Sequence, residues 1–133
     1  MPKTGKILIA EDDPEAREFL MLLLGSSDYD VLVAGDGVEA LSLVRREHPD
    51  LLIADIVMPR MDGYELVRQL REDAAISHTP VVFCSASYHE REVRAMARVL
   101  GVVTTLPKPY DMRTVHAVVR QALQASSASL PTE

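Results

Sequence analysis

Five short apolar runs alternate along the chain with five segments whose apolar residues recur at helical spacing. Short runs rich in Val, Ile and Leu are typical of strands covered on both faces, whereas helical spacing is typical of helices with one buried face. The runs predict strands over residues 6–10, 30–34, 51–54, 80–84 and 102–106. The periodic segments predict helices over residues 14–24, 37–47 and 63–73, from Ser87 to before Gly101, and over about 111–123.

Polar residues at the expected helix starts support these boundaries. Asp13 precedes Pro14, and Asp36 precedes the second helix, at positions where a cap side chain accepts backbone hydrogen bonds. Ser87 followed three residues later by Glu90 has the form of a capping box. The apolar spacing predicts three buried faces, formed by Val38, Leu41 and Val44, by Tyr64, Val67 and Leu70, and by Val115, Val118, Val119 and Ala122.

The strict alternation of strands and helices favours an α/β fold with a five-stranded, parallel, doubly wound sheet. The chain has 133 residues, which is the length of a single domain. We expect that domain to span residues 6–124, after a leader over residues 1–5 and before a flexible, Ser-rich tail over residues 125–133.

Composition narrows the classes of function. A net charge of −6 gives no basic face for direct nucleic-acid binding. The longest apolar runs have the length of strands, so no membrane segment is predicted. Cys84 is the single cysteine and cannot form an internal disulfide, which suits a cytoplasmic location. It is predicted to be a small buried core residue.

Acidic residues follow two of the predicted strands. Glu11 and Asp12 come after the first strand, and Asp55 comes after the third. The carboxyl ends of parallel strands meet at one edge of the sheet, where ligands bind in folds of this class. Carboxylates that close repel each other and need a compensating cation. A site of oxygen ligands suits Mg²⁺.

Two further residues at this edge suit phosphoryl chemistry. Ser85 ends the fourth strand, and Lys108 follows the fifth and precedes Pro109. A carboxylate such as Asp55 can act as a nucleophile and form an acyl phosphate. The transferred group then needs positioning and charge neutralisation, which Mg²⁺, Lys108 and Ser85 would supply.

Four stretches, in order and at matching spacing, resemble the receiver domain of response regulators, the phosphoacceptor module of two-component signalling. The resemblance covers residues 6–123 and implies a flavodoxin-like (βα)5 fold. The stretches are Ile7-Leu8-Ile9-Ala10-Glu11-Asp12-Asp13-Pro14, Asp55-Ile56-Val57-Met58-Pro59-Arg60-Met61-Asp62-Gly63, Pro80-Val81-Val82-Phe83-Cys84-Ser85-Ala86 and Leu106-Pro107-Lys108-Pro109-Tyr110.

The resemblance implies that Asp55 accepts a phosphoryl group from a histidine kinase or a phosphotransfer protein. It implies that Asp12 binds Mg²⁺ directly, that Glu11 binds it through water, and that the backbone carbonyl of Val57 is a further metal ligand. Such a protein is a signalling phosphoacceptor rather than an enzyme acting on an external substrate. Self-catalysed phosphotransfer and autodephosphorylation are expected of it.

The resemblance also implies roles for residues near the last two strands. Ser85 matches the switch hydroxyl, and Lys108 matches the lysine that contacts the phosphoryl group. The peptide bond between Lys108 and Pro109 is expected to be cis. The family usually carries an aromatic switch residue where this chain has Thr105. We therefore expect the conformational signal to travel through the segment after Ser85 and the fourth helix. Tyr110 does not occupy the switch position.

Three other interpretations remain open: an Mg²⁺-dependent phosphohydrolase that works through an aspartyl phosphate, a receiver-like binding module that is not phosphorylated, and a flavin-binding module on the same topology. The resemblance implies that the downstream target is a partner protein or an output domain. A homodimer through the fourth and fifth helices is a further expectation. Arg91, Arg94 and Arg98 on the fourth helix are predicted to be a solvated face, and the first-helix residues Glu15, Arg17, Glu18 and Met21 are a candidate docking face for the kinase.

Overall fold

The sheet contains five parallel strands in the order β2-β1-β3-β4-β5. The computed structural model describes residues 5–26, 28–86, 90–102 and 104–128. The strands are β1 (Lys6–Ala10), β2 (Asp30–Ala34), β3 (Leu51–Asp55), β4 (Val81–Ala86) and β5 (Thr104–Lys108). The strand order reverses direction between β1 and β3, which is where ligands bind in doubly wound sheets. The predicted α/β class and parallel sheet are confirmed.

Five helices connect and follow the strands. They are α1 (Pro14–Gly25), α2 (Gly37–Glu47), α3 (Gly63–Glu72), α4 (Glu90–Leu100) and α5 (Met112–Ala128). The side chain of Asp13 caps α1 by accepting from the Glu15 amide, and Asp36 caps α2 by accepting from the Glu39 amide. Both predicted caps are therefore confirmed. A cap carboxylate stabilises a helix because it accepts from amides that have no partner within the helix.

The helices cover both faces of the sheet, and the core accordingly has two halves. Residues of α2, α3 and α4 pack with Leu8, Leu52 and Phe83 on one face. Residues of α1 and α5 pack with Ile9, Ile53 and Leu106 on the other. Successive strand residues point to opposite faces, so apolar runs are needed to supply both halves. No helix among the described residues is long and apolar enough to cross a membrane.

The structure corrects several predicted boundaries. Strand β5 spans Thr104–Lys108 rather than residues 102–106, because pairing with β4 sets its register and the Val102 amide instead bonds the carbonyl of Ala97 in α4. Strand β3 includes Asp55, and β4 continues to Ala86. The helix predicted to end near residue 123 continues to Ala128.

One predicted core residue lies at the surface. Val38 is 40% exposed, because at the start of α2 the buried position is taken by Gly37, which packs on the backbone of Met61. Residues 1–4 of the expected leader, residues 129–133 of the expected tail and the predicted cap Ser87 lie outside the described residues. The division into leader, domain and tail therefore stays a prediction.

Candidate functional site

Three carboxylates meet at the carboxyl edge of the sheet. Glu11 directly follows β1, and Asp55 is the last residue of β3. These strands are neighbours with Ala10 opposite Ala54, so the next residue on each strand carries an acid at the same level. One carboxylate oxygen from each of Glu11, Asp12 and Asp55 lies within 4.8 Å of the other two. The convergence predicted from the topology is confirmed.

Lys108 supplies a positive charge to this cluster. It is the last residue of β5, and its side chain reaches across the edge of β4. Its Nζ lies 3.0 Å from Oδ2 of Asp55 and 3.4 Å from Oε1 of Glu11. The peptide bond to Pro109 is cis, as the resemblance implied. In this structure the ammonium group is the cation that close carboxylates require.

The electrostatics of the site depend on burial and on these charges together. Glu11 is only 1% exposed, and burial raises the pKa of its carboxyl above the ordinary value, with the charge of Asp55 adding to the shift. Partial burial acts to lower the pKa of Lys108, but the hydrogen bond that Lys108 donates to Asp55 and the two carboxylate charges outweigh it. The pKa of Lys108 is therefore raised, and its ammonium group stays charged at neutral pH.

The backbone after Asp55 is held close to the start of α3. The Ile56 amide donates to Oδ1 of Asp55 at 2.8 Å, and the Gly63 amide donates to the carbonyl of Ile56 at 2.8 Å. A β-carbon on Gly63 would lie 2.4 Å from the carbonyl oxygen of Asp55. Glycine is needed at this position because the helix start packs directly on the backbone of the acid.

The same loop is anchored to the start of α2. Arg60 has a positive φ of 68° and its guanidinium contacts both carboxylate oxygens of Asp36, at 3.1 and 2.9 Å. A β-carbon on Gly37 would lie 2.2 Å from the carbonyl oxygen of Met61. The loop that follows Asp55 is therefore fixed at both ends by helix starts.

A cavity of about 380 Å³ opens beside Asp55. Ser85 and Val57 both line it, together with Lys108. Ser85 is buried and Val57 is 72% exposed. The remaining lining residues are Ile56, Tyr64, Cys84, Ala86, Glu92 and Val93. The predicted site residues from β3, β4 and β5 thus face one space that is large enough for a phosphoryl group.

Thr105 does not line this cavity, and neither do the predicted metal ligands Glu11 and Asp12. Thr105 is half-buried in β5 and lies opposite Phe83 of β4, so the two side chains share one face of the sheet. Phe83 makes an edge-to-face contact with Tyr64, with ring centroids 5.5 Å apart. The aromatic contact on this face is therefore made by β4 and α3.

Sequence reasoning missed one contact at the site. The Tyr110 hydroxyl donates to Oε1 of Glu11 at 3.3 Å, and its ring stacks on Phe19 of α1 with centroids 6.3 Å apart. A phenol two residues after Lys108 was the available signal. The partner lies 99 residues away along the chain, which no local pattern reveals.

The donor set fits a hard divalent cation. Carboxylate oxygens are the ligands that Mg²⁺ prefers, and it usually keeps several waters as well. Among the described residues no cysteine or histidine belongs to the cluster, so the ligands suit neither zinc nor copper. Asp12 is exposed while Glu11 and Asp55 are buried, which leaves one side of the cluster open to solvent.

The chain is similar in sequence to known response regulators. The chain is 39% identical over 119 residues to the response regulator MprA of Mycobacterium leprae, covering 90% of this chain and 51% of that protein. The chain spans about half the length of the curated relatives it matches, with 48%, 52% and 51% of three of them covered.

The fold of the chain is similar to solved structures of receiver domains. The signal receiver domain of a signal transduction histidine kinase from Syntrophus aciditrophicus superposes with a TM-score of 0.83 at 31% identity, covering 98% of this chain and 96% of that one. The receiver domain of the Francisella response regulator 1452 superposes with a TM-score of 0.83 at 28% identity, covering 92% and 99%. Residues 7–120 match the family described as the response regulator receiver domain. The chain therefore belongs to the response regulator receiver domain family of two-component signalling.

Proposed function

We propose that this receiver domain accepts a phosphoryl group on Asp55 in an Mg²⁺-dependent reaction and changes conformation in response. The observation that carries the proposal is the position of the Asp55 carboxylate. It belongs to an acidic cluster suited to a divalent cation, it pairs with the Lys108 ammonium group, and it lines a cavity of about 380 Å³. This arrangement supports a role for Asp55 as nucleophile, for the acidic cluster as metal ligands and for Lys108 as the phosphate-binding cation.

The residues of the chain account for the transfer step. An oxygen of the Asp55 carboxylate attacks the phosphorus of a phosphohistidine. The new P–O bond forms an acyl phosphate, and the P–N bond breaks with its electron pair returning to the imidazole. The Lys108 ammonium group, 3.0 Å from Asp55, is placed to exchange its carboxylate partner for an oxygen of the incoming group.

Glu11, Asp12, Asp55 and the backbone carbonyl of Val57 would hold the Mg²⁺ ion. When bound there, Mg²⁺ supplies positive charge that offsets the charge of the phosphoryl group during transfer. Glu11 is buried and bonded to several donors, whereas Asp12 is exposed. This difference supports a direct metal contact for Asp12 and a water-mediated contact for Glu11.

The conformational response would begin at Ser85. Its buried hydroxyl lines the cavity beside Asp55 and can donate to a phosphoryl oxygen. Thr105 would take the place of the usual aromatic switch residue. We propose that the signal continues through the segment after Ser85 into α4, whose residues Glu92 and Val93 line the same cavity.

The phosphodonor would be a histidine kinase or a phosphotransfer protein in the cytoplasm. The target would be a partner protein or an output domain, since relatives such as MprA extend well beyond the matched region. Arg91, Arg94 and Arg98 are exposed on α4, as predicted. Dimerisation through α4 and α5 stays a prediction, and this solvated face would be available for it.

A small phosphodonor tests the proposal. Wild type, Asp55→Asn and the control Asp30→Asn are incubated with acetyl phosphate and Mg²⁺, and intact masses are measured. Asp30 is an exposed acid at the start of β2, at the opposite edge of the parallel sheet from the cluster. Wild type and Asp30→Asn should gain the mass of one phosphoryl group, and Asp55→Asn should gain none.

The same experiment, together with a turnover assay on a phosphate ester, separates a phosphoacceptor from a phosphohydrolase and from a binding module that is not phosphorylated. A single-phosphoryl gain in both wild type and Asp55→Asn would refute Asp55 as the acceptor. Continuous turnover of an added phosphate ester would favour a phosphohydrolase. The absence of labelling in wild type, with Mg²⁺ bound, would favour a binding module that is not phosphorylated.

A further inference from the structure

Tyr110 joins the acidic site to α1 through the two ends of its side chain. Its ring stacks on Phe19 with the ring planes 4° apart, and the Lys108 Nζ lies 5.9 Å from the ring centroid. Its hydroxyl donates to Oε1 of Glu11 at 3.3 Å. The stacking on Phe19 orients the ring so that the hydroxyl lies beside a carboxylate of the proposed metal site.

The partners of Glu11 show why this hydroxyl matters. Oε2 accepts from the Asp13 amide at 3.2 Å. Oε1 lies 3.3 Å from the Tyr110 hydroxyl and 3.4 Å from the Lys108 ammonium group. A buried carboxylate depends on such donors, because burial without them costs free energy. If Lys108 turns to a phosphoryl group, Tyr110 is the side-chain donor that remains at Oε1 among the described residues.

Building on the proposed function, we propose that Tyr110 is a positioning residue for the metal site. Its hydroxyl orients the Glu11 carboxylate and keeps it in place for Mg²⁺, both before transfer and after Lys108 has changed partner. Donors that orient metal ligands in this way contribute to metal affinity although they do not touch the metal. A phenylalanine would preserve the stacking on Phe19 and lose this function.

Calorimetric titration with MgCl₂ tests the proposal on wild type, Tyr110→Phe and the control Tyr29→Phe. Tyr29 packs against the α1 and α5 half of the core. We expect the Kd for Mg²⁺ to rise roughly tenfold in Tyr110→Phe, the lower end of the effect of losing such a donor. The control should bind Mg²⁺ as wild type does. An unchanged Kd in Tyr110→Phe would overturn the proposal.

A double-mutant cycle with Glu11→Gln distinguishes positioning from a general effect on the fold. If the hydroxyl acts through Glu11, adding Tyr110→Phe to Glu11→Gln should leave the Kd for Mg²⁺ unchanged. The same loss in both backgrounds would show a merely structural role and overturn the proposal. If wild type fails to bind Mg²⁺, the proposed metal-dependent function is contradicted, and the role of Tyr110 with it. The titration of wild type shows this before any variant is compared.

Discussion

The Lys108 ammonium group lies 3.0 Å from Oδ2 of Asp55 and so occupies the side of the carboxylate that faces the cavity. It also lies 3.4 Å from Glu11, so a single cation offsets the charge of two buried acids. If the acidic cluster binds Mg²⁺ as proposed, Lys108 would compete with the ion for the same negative charge. The consequence can be measured without any phosphorylation.

Replacing Lys108 with Met should destabilise the metal-free protein and tighten Mg²⁺ binding by roughly tenfold, because a like charge is removed beside the metal site. Thermal unfolding in EDTA and in about 10 mM MgCl₂ should show a lower Tm without metal and a larger rise with it. Lys6→Met is the matched control, since Lys6 pairs with Glu47 away from the cluster. An equal Mg²⁺-induced rise in Lys108→Met and wild type would contradict this explanation.

Gly63→Ala should cost roughly 1–3 kcal/mol of unfolding free energy, because the added β-carbon meets backbone that cannot move freely. That carbon would lie 2.4 Å from the carbonyl oxygen of Asp55 and 2.9 Å from the Cα of Ile56. Urea unfolding measures the loss. Gly25→Ala is the control, since a β-carbon there meets no atom within 4 Å. Equal stability of the two variants would exclude a steric requirement at residue 63.

Arg71 is expected to contribute more stability than its neighbour Arg68 on the same helix. Its guanidinium donates to four backbone carbonyls, those of Ser77, Thr79, Leu100 and Gly101. Burial lowers the pKa of Arg71, yet the group remains charged, so these carbonyls lose a charged donor in Arg71→Met. We expect a loss of roughly 2–3 kcal/mol in urea unfolding.

Arg68→Met is the matched control for Arg71. Arg68 pairs with Glu65 and Glu72 at the surface, where ion pairs are screened by solvent. Its removal should change the unfolding free energy much less than Arg71→Met does. A larger loss in Arg68→Met would mean that the four carbonyls do not depend on Arg71.

Cys84 gives a prediction for pH. Burial raises the pKa of its thiol from 9.0 to about 12, since the thiolate would lose its hydration in the core. The folded state therefore keeps a proton that the unfolded chain releases. The contribution of this group to stability is complete below pH 9 and is lost as the pH rises toward 12.

Iodoacetamide labelling checks the state of this thiol. At pH 9 the folded protein should stay unlabelled, because Cys84 is buried and protonated, while the chain unfolded in urea should be labelled readily. Labelling of the folded protein at the rate of the unfolded chain would contradict the conclusion that Cys84 is buried and protonated.

Thr105→Tyr should alter the route of the conformational response. Amide chemical shifts are compared for wild type and the variant, each with and without beryllium fluoride as a phosphoryl mimic. In wild type we expect the shift changes to concentrate after Ser85 and in α4. In the variant they should extend along β5, because the ring would fill the space beside Phe83. Identical shift patterns would contradict the role given to Thr105.

The sequence by itself determined the order of elements and the edge at which the acids lie. Apolar runs and helical spacing are properties of neighbouring residues, so they predicted β1 to β4 and the caps Asp13 and Asp36 closely. The parallel topology then placed the ends of β1 and β3 at one edge of the sheet, and the observed strand order made them neighbours and brought Glu11 to Asp55.

Tertiary structure alone decided contacts between side chains that are far apart in the chain. The hydroxyl of Tyr110 meets Glu11, and Arg60 meets Asp36, only because particular strands and loops are packed at particular distances. Pairing with β4 likewise fixed the register of β5. The strand sequence Thr104–Lys108 is less apolar than the two valines before it, so the apolar pattern alone predicted a strand that began too early. Local patterns specify which face of an element is buried, whereas long-range packing specifies which side chains reach the same carboxylate.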